Sequence, residues 1–582
     1  MNTNAGFGDA TNEKEHRNSL FDPVEIKGIS LKSAKLFFSG KIARMLRSIS
    51  RLFSLTSSRV YGFMFLSFGI LTLFLHLGEY YFMNDPTVEV SSLVIGAVST
   101  VISLLFLFSD KPISSAVQSV RLFDFIVFDF FSVNRVQQKD GARINTAVGI
   151  LLGFLLAIFG FFFPTEYAVV LILGFTVIVI SMVSPEFPYI LSLFLFPYLS
   201  LLPYSSYILV FLIACSVISF VRKVFVGKRI FSFEIYDFLV LLLILSAFIT
   251  EVILGGSAST ESALLTIAFL VGYFPASNMA VNRRLFDCVA GAISASAIPV
   301  GIYSIVSYVI ALISGEAVKS RAFFDSPEIL AAYLSAVAIF AIYLSVKRSH
   351  RIKKTYYFSV FLLMLAALLT TEVFKVLIAL LLVAVSLSII RSRRLPIWII
   401  LLGAIVPFAL FLLSDSALLT VSDIFALSPS IAEIKNNLTA AFDFFIENPI
   451  FGMGISNPFA EADFANNVLL GLACRFGVLA LTVFLLLLVL RVFHFGMFKR
   501  YFSDSTVNFY AEISLLASVA MLAIGSLADI FADVEMIYFF VAVFSVGSAA
   551  LRISKKEKTE MRSYYMELGN SDNAAIDVTL KK

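Results

Sequence analysis

The chain has 582 residues, of which 59% are hydrophobic and only 14% charged, with a mean hydropathy of +0.92. That balance excludes a soluble globular enzyme of this length and a basic nucleic-acid-binding protein, and marks a polytopic membrane protein. The net charge of +4 is small, so the placement of the charges carries more information than their sum.

Residues 1–28 are polar and are expected to form a mobile tail. In residues 29–55, Phe38, Ile42, Met45, Leu46, Ile49, Leu52 and Phe53 recur at helical spacing. Lys32, Lys35, Lys41, Arg44, Arg47 and Arg51 fill the other face. This predicts a basic amphipathic helix on the anionic cytoplasmic leaflet, serving chiefly as a topology anchor.

Apolar runs then predict spans over 60–82, 88–109, 147–163, 167–183, 188–202, 206–220, 234–254 and 263–280, and then over 288–313, 328–346, 355–370, 376–390, 397–413, 468–490, 507–525 and 537–551. The fold class is therefore all-α, a helical membrane bundle of about 14–16 transmembrane helices with one large extracytoplasmic loop. Residues 110–146 carry Arg121, Asp124 and Asp129, too many charges for a comfortable span, and are assigned to the interface. No cleavable signal peptide is expected, because the first apolar run starts near Val60. The cysteines Cys215, Cys288 and Cys474 lie in or beside apolar runs without CxxC spacing, so neither a disulfide framework nor a cysteine metal site is expected.

With the N-terminus inside, the basic clusters at 222–229, 282–284, 347–354, 391–394, 499–500 and 555–558 all fall on the cytoplasmic side. Both termini are then cytoplasmic. Of 44 Lys and Arg residues, the outer loops keep only Lys319, Arg321, Lys375 and Lys435, with Arg475 just inside the next span. An anionic ligand at the outer face is one reason for such residues to persist; solvated loop charge is the other.

The large outer loop spans 414–467. Ser430 and Glu433 read as a capping box after Pro429, and Ile431, Ile434, Leu438, Phe442 and Phe445 form an apolar helical stripe. Asn448-Pro449 ends that helix. Gly452 and Gly454 permit tight backbone geometry, and Asn466 and Asn467 sit where the chain re-enters the membrane.

The stretch NPIFGMGIS (448–456), followed by ANNVLLGLACRFG (465–477) and a span, resembles the O-antigen ligase and polymerase superfamily. SRAFFDSPEILAAYL (320–334) is similar to that family's first outer arginine motif, and GYFPASNMAVNRR (272–284) and AIPVGIYSIVSYV (297–309) are similar to the helices before it. The resemblance covers roughly 232–490. It implies transfer of a glycan from an undecaprenyl-pyrophosphate carrier to an acceptor hydroxyl in cell-surface polysaccharide biosynthesis, without nucleotide sugar, metal or other cofactor. The implied partners are the lipid-linked oligosaccharide, membrane lipids and other polysaccharide-assembly proteins, and no nucleic acid.

The resemblance places Arg321 and Asn466 at the reacting centre. Lys319, Lys375, Lys435, Arg475, Gly452, Gly454 and Asn467 would line the substrate. The family's histidine falls on Asn466, which can orient a hydroxyl but cannot take its proton. The family's acidic residue falls on Arg475, and its SRG turn reads TTEVFK (370–375). Of the four histidines, only His76 falls near the outer face, and a structural role suits it best. Glu372, Asp325 and Asp463 remain as carboxylates for a base. A non-catalytic scaffold or binding subunit is the alternative reading, and a lipid-oligosaccharide flippase is a weaker one.

The expected organisation is a cytoplasmic tail (1–57), N-terminal spans with the interfacial segment (58–231), the ligase-like core with its loop (232–495), two or so C-terminal spans (496–552) and a second cytoplasmic tail (553–582).

Overall fold

The computed structural model describes residues 24–26, 56–83, 90–108, 110–133, 145–201, 205–225, 229–254, 260–279, 283–314, 320–347, 351–371, 442–443, 445–454, 467–498, 505–525 and 529–554. In chain order the helices are α1 (Ser58–Met83), α2 (Val90–Leu107), α3 (Ile113–Ser119), α4 (Arg121–Asp124), α5 (Thr146–Phe162), α6 (Thr165–Val183), α7 (Glu186–Leu195), α8 (Ser205–Phe225) and α9 (Ile235–Leu254). They continue with α10 (Thr260–Val271), α11 (Tyr273–Met279), α12 (Arg283–Ser314), α13 (Pro327–Lys347), α14 (Arg351–Thr370), α15 (Val468–Phe498), α16 (Ser505–Gly525) and α17 (Val534–Ser554).

Every predicted span that falls on described residues coincides with a helix or a broken pair of helices. Eight helices among the described residues are both long and apolar enough to cross a membrane, and six shorter apolar helices fall at further expected positions. The predicted spans 376–390 and 397–413 lie outside the described residues, as do the amphipathic helix 29–55 and most of the loop 414–467.

Three predicted segments differ in detail. The run 188–202 begins as α7 and tightens to a 3-10 helix over Phe196–Leu201. The run 263–280 is split into α10 and α11 at Gly272, which leaves α11 only seven residues long. Within the polar tail, Val24–Ile26 (β1) pairs antiparallel with Phe231–Phe233 (β2), Val24 opposite Phe233. Val24 and Ile26 are β-branched and suit an extended pair, which the overall polarity of the tail conceals.

Over its described residues 110–133, the segment assigned to the interface forms no span. It comprises α3, α4 and a π-helical turn over Phe125–Phe130, tied to α12 by an Arg284–Asp129 ion pair at 2.5 Å. Asp129 is thereby held beside the basic start of α12.

Two packing regimes are present. In the apolar stretches of α13 and α17, 78% and 83% of the residues are buried by protein; in α1 and α2 the shares are 28% and 17%. The former are central helices, the latter peripheral ones whose apolar surface suits lipid. The peripheral group packs through small residues: Gly149, Gly153, Ala157 and Gly160 form the buried stripe of α5. His76 accepts or donates a 3.2 Å hydrogen bond with Thr165, which also receives the Ser92 hydroxyl at 2.8 Å, so this histidine belongs to a helix-packing network.

Candidate functional site

The site is built from two backbone devices at one end of the bundle. The first is the turn between α12 and α13. Ser320 donates its backbone N–H to the Thr370 carbonyl at 3.0 Å, and its hydroxyl meets that of Ser304 at 2.9 Å. Ser304 also bonds the Thr370 hydroxyl at 2.7 Å. The chain then reverses through Arg321, with the Phe324 N–H on the Arg321 carbonyl at 2.9 Å and Ala322 at φ +47°. A non-glycine residue in that region persists only where its surroundings hold it. They do: Phe323 stacks on Tyr303 and also packs against Tyr198, and Phe324 lies against Phe196 and Tyr333.

This rigid turn leaves the Arg321 side chain exposed. It has no ion-pair partner among the described residues. Asp325, four residues on, is exposed as well. The Ser320–Thr370 bond joins this turn to the start of TTEVFK, the segment that leads to Lys375. Lys375 itself, with Lys319, Lys435 and Asn466, lies outside the described residues.

The second device is a break in α15. Gly477 sits at φ 78°, ψ 179°, and interrupts the helix after its first turns. A break in an apolar helix frees peptide groups that must be satisfied by protein. The strap Pro449–Gly454 does this. Met453 donates its N–H to the Cys474 carbonyl at 2.7 Å, Gly454 donates to the Arg475 carbonyl at 3.0 Å, and Val478 donates back to the Pro449 carbonyl at 2.8 Å. The Thr250 hydroxyl, from α9, holds the Phe451 carbonyl at 2.7 Å.

Gly452 has φ +71°, and a Cβ there would lie 2.5 Å from the Arg475 carbonyl carbon; Gly454 has φ +82°. The glycines predicted to shape the loop therefore shape its contact with α15. The predicted helix stop at Asn448-Pro449 is also present, since helical residues end at Glu447.

Asn467 uses its side-chain oxygen to cap α15, accepting from Leu469 N at 2.8 Å and Leu470 N at 3.3 Å. Arg475 is buried, 9% exposed, and its guanidinium donates to Asp529 Oδ2 at 2.7 Å. Burial raises the Asp529 pKa from the ordinary carboxylate value, against the opposing pull of Arg475.

Asp529 opens a segment that links the two devices. Its Oδ1 accepts from Phe531 N at 3.2 Å, while Ile530 and Phe531 are buried in the core. Asp533 then caps α17 by accepting from Glu535 N at 2.8 Å. Glu535 accepts from the hydroxyls of Ser205 and Ser206 at 2.7 and 2.9 Å. Asp533 is half-buried, and its pKa is pushed up to about 7, first by burial and then by the negative charges of Glu535 and Asp325. The Asp325 contribution places the Arg321 turn and the start of α17 within electrostatic reach of each other.

No family model matches this chain, and no curated protein matches it. Function therefore has to be read from these residues.

The site thus offers one uncommitted cation, one paired cation and several carboxylates. Among the described residues, no group of three or more His, Cys, Asp or Glu side chains is arranged to hold a metal ion. Asp529, Asp533 and Glu535 were not singled out in the sequence. The available signal was their clustering in DIFADVE (529–535), between the last two apolar runs. Glu372 and Asp463, the other carboxylates considered as a base, lie outside the described residues.

Proposed function

We propose that the protein is a membrane glycan polymerase or ligase. It moves an oligosaccharide from an undecaprenyl-pyrophosphate carrier to a hydroxyl of a glycan or lipid acceptor, at the extracytoplasmic face. The observation that carries this reading is Arg321: an exposed guanidinium on a turn whose backbone is fixed by α12 and α14, next to aromatic packing. Such a group is open to phosphate oxygens, which a guanidinium meets with two parallel hydrogen bonds.

In the proposed reaction the acceptor oxygen attacks the anomeric carbon. The bond from that carbon to the pyrophosphate oxygen breaks, and undecaprenyl pyrophosphate leaves with the electron pair. Arg321 offsets the charge that builds on the leaving oxygen. The hydroxyl proton passes to a carboxylate at the site. Asn466 orients the hydroxyl.

The test is an R321A chain in cells that depend on this protein for surface polymer. Polymer should fall at least about 100-fold with membrane levels unchanged, the range for loss of one transition-state charge contact. Normal polymer in that variant sinks the assignment.

A second reading, a non-catalytic subunit of a polysaccharide-assembly complex, is favoured by Asn466 in place of a histidine. It predicts that N466H leaves polymer output unchanged, whereas a weakened enzyme should gain activity.

A further inference from the structure

We propose that Asp529 is a positioning residue: by holding Arg475 it latches the glycine strap onto the broken end of α15 and so sets where the outer loop re-enters the bundle. The positioning of substrate rests on the glycan-transfer reading; the latch itself does not.

Three features of the geometry converge on this pair. Arg475 provides both halves of the connection, because its backbone carbonyl receives Gly454 N–H at 3.0 Å while its guanidinium reaches Asp529 Oδ2 at 2.7 Å. One residue thus carries both the carbonyl that the strap binds and the side chain that Asp529 holds. The carboxylate is also seated without slack, since a Cβ on Gly471 would overlap Asp529 Oδ2. On the other side of the same residue, a Cβ on Gly452 would press on the Arg475 carbonyl group. Glycines thus lie on both sides of the Asp529–Arg475–strap stack, and each permits a close approach.

The pair is nearly closed to solvent, with side chains only 10% and 11% exposed. A guanidinium so enclosed and already matched to a carboxylate makes a poor contact for an incoming phosphate, because the ligand must first displace Asp529 into low dielectric. Its charge serves the fold of the loop instead. Among the described residues, main-chain bonds join the strap to α15 and the Thr250 hydroxyl joins it to α9, while the ion pair ties Arg475, whose carbonyl receives Gly454 N–H, to the segment that precedes α17. Burial also works against ionised Asp529, so the latch depends on Arg475 to keep that charge.

The experiment uses the full chain in nanodiscs and a hydrophilic maleimide on its native cysteines. Cys474 lies beneath the strap and is partly exposed, whereas Cys215 and Cys288 are buried and report on the bundle as a whole. D529N removes the charge and keeps the shape. G471A keeps both charges and displaces the carboxylate. R475D/D529R restores the pair with the charges exchanged.

The expected result is that D529N and G471A each speed labelling of Cys474 at least about tenfold, as for a local opening, while Cys215 and Cys288 keep their rates. The exchanged pair should return Cys474 to within about threefold of the wild-type rate. Unchanged labelling of Cys474 in D529N and G471A overturns the latch. So does a rise at all three cysteines together, which marks general loosening. An opened strap in a protein whose wild type makes no polymer supports the latch and removes the glycan reading.

Discussion

Arg321 and Arg475 stand at the same end of the bundle and are built in opposite ways. Around Arg321 the backbone is over-determined and the side chain is left exposed. Around Arg475 the side chain is enclosed by Asp529, and the backbone carbonyl is used to dock the strap. Sequence position alone gives both the same standing, as outer cations in a chain that keeps few of them. The structure separates a charge available to a ligand from a charge already matched within the protein.

The contrast is sharpest in stability. R475A would leave Asp529 buried without its cation, at a cost of about 3–5 kcal/mol. R321A removes a solvated side chain and should change stability by no more than about 0.5 kcal/mol. Unfolding in detergent, followed by intrinsic fluorescence, compares the two directly. Equal destabilisation would erase the distinction.

Asp533 gives the next effect, in pH dependence. Its folded pKa of about 7 lies above the unfolded value of about 4, so the folded state retains a proton that the unfolded chain releases. The stability that this group contributes is complete below pH 4 and is lost as pH rises through 7. The wild type should therefore melt at progressively lower temperature from pH 5 to pH 8. D533N keeps an oxygen to accept the Glu535 N–H and should flatten that slope. A slope as steep in D533N as in the wild type assigns it to other groups.

The smallest effect belongs to Asn467. Loss of its cap on α15 in N467A should cost about 1 kcal/mol, while N467D or N467S should retain most of the stability. If Asn467 instead contacts substrate, all three replacements will impair polymer formation alike while stability barely moves.

Hydropathy and the positions of Pro and Gly made the helices legible, because a run of about 20 apolar residues has few alternatives in a bilayer. It did not reveal the break at Gly477. Apolar residues continue on both sides of it, and only the pairing with a strap more than 20 residues earlier makes the interruption tolerable. The motif NPIFGMG drew attention to the strap, but as loop geometry near a ligand rather than as a partner for α15.

Buried charge was the harder part. Arg491 follows the predicted end of its span, yet α15 continues past it and the side chain is only 1% exposed. It lies over Phe544 at 4.9 Å and bonds Ser548 Oγ at 3.2 Å, in a notch made by Gly547. Asp237 and Arg552 form a buried pair at 2.5 Å, from residues 315 apart in sequence. Arg475 and Asp529 are 54 apart. Pairings of this kind depend on which helices are neighbours, and hydropathy does not specify neighbours.

The most direct measurement is binding of undecaprenyl pyrophosphate to the full chain in nanodiscs, comparing wild type, R321A and R475D/D529R. Loss of a guanidinium contact to phosphate should weaken binding about tenfold or more in R321A, while the exchanged pair binds within about twofold of wild type. The opposite pattern, with R321A unchanged and the exchanged pair unable to bind, would contradict the division of roles between the two arginines.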